Sequence, residues 1–169
     1  MRIVISQERQ RIEAIWIGEV GLDNDEYLAV DAVTHSKTKP DGGYAHYKDG
    51  VLTLHNYTYT GEGTFAYHDT KISSKKHAVI RTYNDLQIVL EEGTVNSLEG
   101  VHYEESGVIV NGIYAGPNVN EIVISGSGKL EIHCDSGVCC RDKSSVDVRF
   151  QVHSTTPHIF FSVKLIFKE

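Results

Sequence analysis

Tyrosine is frequent in this 169-residue chain, and Tyr44, Tyr47, Tyr57, Tyr59 and Tyr67 fall within one short stretch. A tyrosine ring has an apolar face and a polar hydroxyl, so tyrosines on a strand can stack on a sugar ring while their hydroxyls bond its substituents. Residues two apart project from the same face of a strand, and Tyr57 and Tyr59 satisfy that spacing. Tyr44, Tyr47, Tyr57 and Tyr59 are therefore the candidate ligand-binding residues. The competing reading is structural, because tyrosine is a favoured strand residue whose ring covers a sheet surface.

Other chemistry is less well supported. His133, Cys134, Cys139 and Cys140 bring three thiols and an imidazole close together in sequence. No pair of them has the gap that lets two thiolates share a tetrahedral metal, and adjacent cysteines on a strand point to opposite faces. Core packing is the preferred reading for the cysteines, with neither a metal nor a cofactor expected. The histidines form no His-x-His or His-Glu-x-x-His pair. Gly126-Ser127-Gly128 imitates a phosphate-cradling loop, yet it joins two strand-like runs and meets no helix. Asp23, Asp25, Glu26, Glu104 and Glu105 lie in loop-like sequence, where a solvated surface is the default for a carboxylate. No catalytic residue is assigned.

These side chains must be positioned by strands. The stretch from Gly112 to Gly137 holds three short apolar or alternating runs, Ile113-Tyr114, Ile122 to Ile124 and Leu130 to Ile132, separated by Gly, Ser, Asn and Pro clusters. The same order occurs upstream at Ala78 to Ile80, Leu86 to Leu90 and Leu98 to Gly100, and more loosely downstream at Val138 to Cys140 and Val146 to Phe150. A recurring unit that cannot bury its own apolar face must stack on its neighbours. The expected fold is all-β, a short single-stranded parallel β-helix (β-solenoid) with β-hairpin caps. In it, Ile122, Ile124, Leu130 and Ile132 stack between Leu86, Ile88 and Leu90 on one side and Val146 and Val148 on the other. The alternative is a β-sandwich or meander in which the turn at 126–128 sets Ile124 opposite Leu130.

Residues 1–39 are expected to form an N-terminal β cap and 40–169 the solenoid with its closing strands, in one compact domain. Within the cap, Ile3 to Ile5 and Ile12 to Ile17 read as a hairpin, Gly18 to Glu26 as an acidic turn and Tyr27 to Val33 as a third strand. Val101 to Asn111 reads as a hairpin-like insertion. Phe150 to His153 and Ile159 to Phe167 read as the closing strands.

The run from Tyr44 through Lys48-Asp49-Gly50 to Leu52-Thr53-Leu54 and Tyr57, with Asp85 to Val95 and Ile122 to Ile132, resembles the Gly-rich β-helical repeats of bacterial proteins labelled carbohydrate-binding. The resemblance covers about 44–135 and implies a glycan ligand, acidic or neutral, bound without turnover. Two further function classes stay open: a structural or self-assembling component, and a polysaccharide lyase or hydrolase.

Composition narrows the partners. A net charge of −7 disfavours nucleic acid and an anionic membrane surface, both of which call for lysine and arginine. No apolar run approaches the roughly 18–20 residues of a membrane-spanning helix, and no secretion signal is visible at the start. With three cysteines, two of them adjacent, a disulfide framework is disfavoured. The expectation is a cytoplasmic protein, or a secreted or surface one if a signal has been removed, whose partner is a glycan, another protein or a second copy of itself.

Overall fold

The computed structural model describes residues 15–69, 74–101, 107–140, 147–151 and 162–167. It is all-β, with sixteen strands among these residues distributed over three sheets.

The N-terminal strands are β1 (Ile15–Ile17), β2 (Val20–Leu22), β3 (Glu26–Ala29), β4 (Tyr44–Lys48), β5 (Val51–His55), β6 (Thr58–Gly61) and β7 (Thr64–Asp69). The rest are β8 (Ser74–Thr82), β9 (Leu86–Leu90), β10 (Val95–Gly100), β11 (Val108–Ala115), β12 (Glu121–Gly126), β13 (Lys129–Cys134), β14 (Ser136–Cys140), β15 (Asp147–Gln151) and β16 (Ser162–Phe167). Three sheets run in the orders β14-β11-β8-β1-β2, β15-β12-β9-β5-β4-β3 and β16-β13-β10-β6, with β7 also on β8. We call them the first, second and third sheet. The chain visits them in rotation: β8, β9 and β10 take one each, then β11, β12 and β13, then β14, β15 and β16, and every step along a sheet within this series is parallel.

Alternation explains the core. In β5, Leu52 and Leu54 are buried while Thr53 and His55 are half-buried, the pattern of a strand with one face inward. In-register stacking then lines up like positions. Leu52, Ile88 and Ile124 follow one another across the second sheet, Ile17, Ile80, Ile113 and Val138 across the first, and Tyr59, Leu98 and Ile132 across the third. These rows join into one continuous apolar core. Among the described residues antiparallel pairing is confined to the N-terminal part, where β1–β2, β3–β4 and β4–β5 form hairpins and β1 and β7 lie against β8. The β4–β5 hairpin turns on Asp49 and Gly50, at φ 48° and 83°, which suits the type I′ turn favoured between twisted strands.

Several expectations are corrected. Leu130 and Ile132 do not stack on Leu86 to Leu90; they lie opposite Asn96 and Leu98 in the third sheet, because the chain turns a corner at 126–128. The same corner separates Ile124 from Leu130, so the antiparallel pairing of the sandwich alternative is not formed. Gly126 takes this corner at φ 102°, and a Cβ there would collide with the Leu90 backbone. Val20–Leu22 is a strand where an acidic turn was expected, and the strand expected over Tyr27 to Val33 is Glu26–Ala29. Val108–Asn111 belongs to no hairpin-like insertion; it begins β11, parallel to Lys75–Ala78. The hairpin partner proposed at Ile3 to Ile5 and the stacking position of Val146 lie outside the described residues. The register does set Gly112 level with Gly137, between the pairs Asn111–Ser136 and Ile113–Val138.

Candidate functional site

The inner rows end at the N-terminal side, where β2, β3 and β6 are the last strands of their sheets. Between these ends lies a cavity of about 380 Å³. Ile17, Leu28 and Tyr57 form its apolar floor, Tyr59, Thr58 and Thr60 come from the β6 segment, and Glu19, Asp31 and Glu62 are acidic lining residues. This volume is within the range of about 300–1,000 Å³ usual for small-molecule sites.

Tyr57 sits at the corner before β6 and is only 2% exposed. Its backbone N–H donates to Asn96 Oδ1 at 2.9 Å, and Asn96, wholly buried, donates in turn to Thr94 Oγ1 and the Lys129 carbonyl, both at 3.1 Å. A buried amide side chain that fills its bonding capacity in this way pins the corner. Burial raises the Tyr57 hydroxyl well above the ordinary tyrosine range, and the charges of Tyr59 and Asp31 add to the rise.

Tyr59 is held differently. Its hydroxyl accepts a hydrogen bond from Gly63 N–H at 2.9 Å, and its ring lies so close to Gly18 and Gly61 that a Cβ on either would collide with it. Burial raises its hydroxyl pKa, with the Gly63 N–H acting in the opposite direction.

The four candidate tyrosines are not brought together. Tyr44 is on the outer side of the second sheet, stacked on His55 at 5.0 Å and edge-on to Tyr27 at 5.6 Å, with its hydroxyl donating to Glu91 Oε1 at 3.3 Å. Tyr47, on the same strand but three residues on, turns inward and is 7% exposed. Tyr57 and Tyr59 alone of the four line the cavity. Tyr67 packs near Tyr114 at 5.6 Å.

No family model, curated protein or solved structure matches the chain.

Among the cysteine and histidine candidates, Cys134 is buried in the core, while the neighbouring His133 is half-buried, 3.7 Å from Glu131. Cys139 is on β14, in a different sheet from Cys134, with its Sγ 3.9 Å from the Tyr67 hydroxyl. The side chain of Cys140 is outside what the structure describes. Of the early carboxylates expected in loops, Asp25 precedes β3 and Glu26 begins it; Asp25 pairs with His46 at 3.0 Å and Lys48 at 3.5 Å, and the His46 hydrogen bond leads in lowering its pKa. Glu26 is buried, accepts from Asp23 N–H at 2.8 Å and faces Lys37 and His35 at 3.4 and 3.5 Å.

Glu19, Asp31 and Glu62 were not singled out from sequence. The available signal was Gly61-Glu62-Gly63 directly after Tyr57 and Tyr59, a turn whose glycines admit a close ring.

Proposed function

We propose that the protein is a non-enzymatic saccharide-binding module built as a short parallel β-solenoid. The solenoid reading is supported by the rotation of β8–β9–β10, β11–β12–β13 and β14–β15–β16 through the same three sheets, with the N-terminal hairpins acting as its cap. The binding reading is carried by one observation: Tyr57 and Tyr59 line the same concave space at the end of the stack, beside the hydroxyl-bearing Thr58 and Thr60. The combination of the half-buried Tyr59 ring with hydroxyls is suited to a sugar, which is apolar on its ring faces and polar at its edges.

The test is a glycan array followed by calorimetry on each hit. Binding that falls with Tyr59→Ala, together with an unchanged saccharide on prolonged incubation, is the expected result. No binding to any saccharide removes this function and leaves the architecture untouched. Release of shortened sugar would place the protein among the enzymes instead.

A further inference from the structure

The cavity has a one-sided charge. Glu19, Asp31 and Glu62 line it, and among the described residues no lysine, arginine or histidine does. Elsewhere among the described residues carboxylates are commonly compensated: Glu26 by Lys37, Asp25 by Lys48 and Glu131 by Lys129. No such partner stands beside Glu19, Asp31 or Glu62 among the described residues. Like charges gathered around a concave, partly apolar space repel one another and lower the energy of any cation that enters it.

A second observation is independent of the charges. Tyr57 is 2% exposed, and its hydrogen bonds to described residues run through its backbone, leaving the hydroxyl without one. A hydroxyl that has no protein partner keeps both its donor and its acceptor capacity for a molecule that enters beside it. This one belongs to a residue of the cavity wall, near enough to Asp31 and Tyr59 to feel their charge.

We propose that the cavity takes a sugar bearing a protonated primary amine, with the ammonium among Glu19, Asp31 and Glu62, the ring against Tyr59 and a sugar oxygen or the amine on the Tyr57 hydroxyl. This rests on the saccharide-binding reading and adds the sign of the ligand's charge. Tyrosine faces also favour a cation, so the aromatic and acidic parts of the lining act in the same direction. An anionic sugar is disfavoured by the same three carboxylates.

Calorimetry at low salt would compare three probes: the disaccharide of glucosamine with free, protonated amines, its N-acetylated counterpart, and 1,4-diaminobutane. The free-amine disaccharide is expected to bind at least about tenfold more tightly than the acetylated one, and to weaken as salt is raised. The double variant Asp31→Asn, Glu62→Gln is expected to lose about tenfold in affinity at an unchanged melting temperature. Asn suits position 31, since Asp31 has φ 60° and asparagine tolerates that region. Tyr57→Phe, which keeps the ring, is expected to weaken binding of the same probe. Equal binding of both disaccharides would overturn the amine proposal and leave the saccharide reading standing. Diamine binding as tight as that of the amino disaccharide would overturn the saccharide reading, and the proposal with it. Full-strength binding by the double variant would overturn the assignment to this cavity.

Discussion

The Tyr59 hydroxyl accepts from the Gly63 N–H at 2.9 Å while the Tyr59 ring fills the space where Gly18 would otherwise carry a Cβ. Two turns far apart in sequence, one after β1 and one after β6, thus hold a single side chain in place at the end of the third sheet's inner row.

Gly18→Ala should therefore disturb the site and the fold together. Gly18 has φ 57°, where a Cβ is strained, and the added methyl meets the Tyr59 ring. A loss of about 1–3 kcal/mol in urea denaturation is expected, with a changed tyrosine signal in the near-ultraviolet. Gly42→Ala, where a Cβ meets open space, should stay within about 0.5 kcal/mol.

Ile124 tests the stacked core. It is 1% exposed and lies in register with Ile88 on one side and Phe150 on the other. Ile124→Ala is expected to cost about 2–5 kcal/mol in the same denaturation assay, since a stacked row has little freedom to close the space. Lys129→Ala should change stability by about 0.5 kcal/mol or less, because its ion pair with Glu131, at 2.6 Å, is open to solvent.

Asn96 tests the corner beneath Tyr57. Asn96→Ala leaves the Tyr57 N–H and the Lys129 carbonyl without their side-chain partner. A loss of about 1–3 kcal/mol is expected for each group left unsatisfied. Hydrogen exchange at the Tyr57 amide should accelerate more than at Ile88; equal acceleration would argue against a local anchor.

Alkaline pH tests the burial of Tyr57. The folded protein retains this proton at a pH where an ordinary tyrosine, at 10.0, has begun to lose it. Its contribution to stability is complete below that ordinary value and is lost as pH rises through the raised one. Stability should fall above about pH 10 alongside late tyrosinate absorbance, and Tyr57→Phe should remove part of both changes. A remainder is expected, because burial also raises Tyr47 and Tyr59.

Much of the strand content was legible because alternation records which side of a strand meets the core. Leu52 and Leu54, then Leu86, Ile88 and Leu90, and then Ile122 and Ile124 are buried where the pattern placed them. Alternation carries no information about which sheet a strand enters after a corner, and this is why Leu130 and Ile132 were matched to the wrong neighbours. The run Val108-Ile109-Val110 looked like an insertion for a related reason: its parallel partners are Lys75 to His77, whose polar side chains do not announce a strand.

By itself the sequence determined the all-β class, the inward residues of the principal strands and the equivalence of Gly112 with Gly137, since each depends on local periodicity or on a glycine's small size. Tyr57 and Tyr59 both line the cavity, but Tyr57 stands at the corner before β6 and not on the strand, so the two-residue spacing of a strand face is not what brings them there. Only the tertiary structure decided that Tyr44 and Tyr47 lie elsewhere, on opposite sides of the second sheet, and that Ile17, Glu19, Leu28, Asp31 and Glu62 join the other two around a cavity. Those residues come from separate segments whose approach is set by where three sheets end, a relation among distant strands that local pattern does not encode.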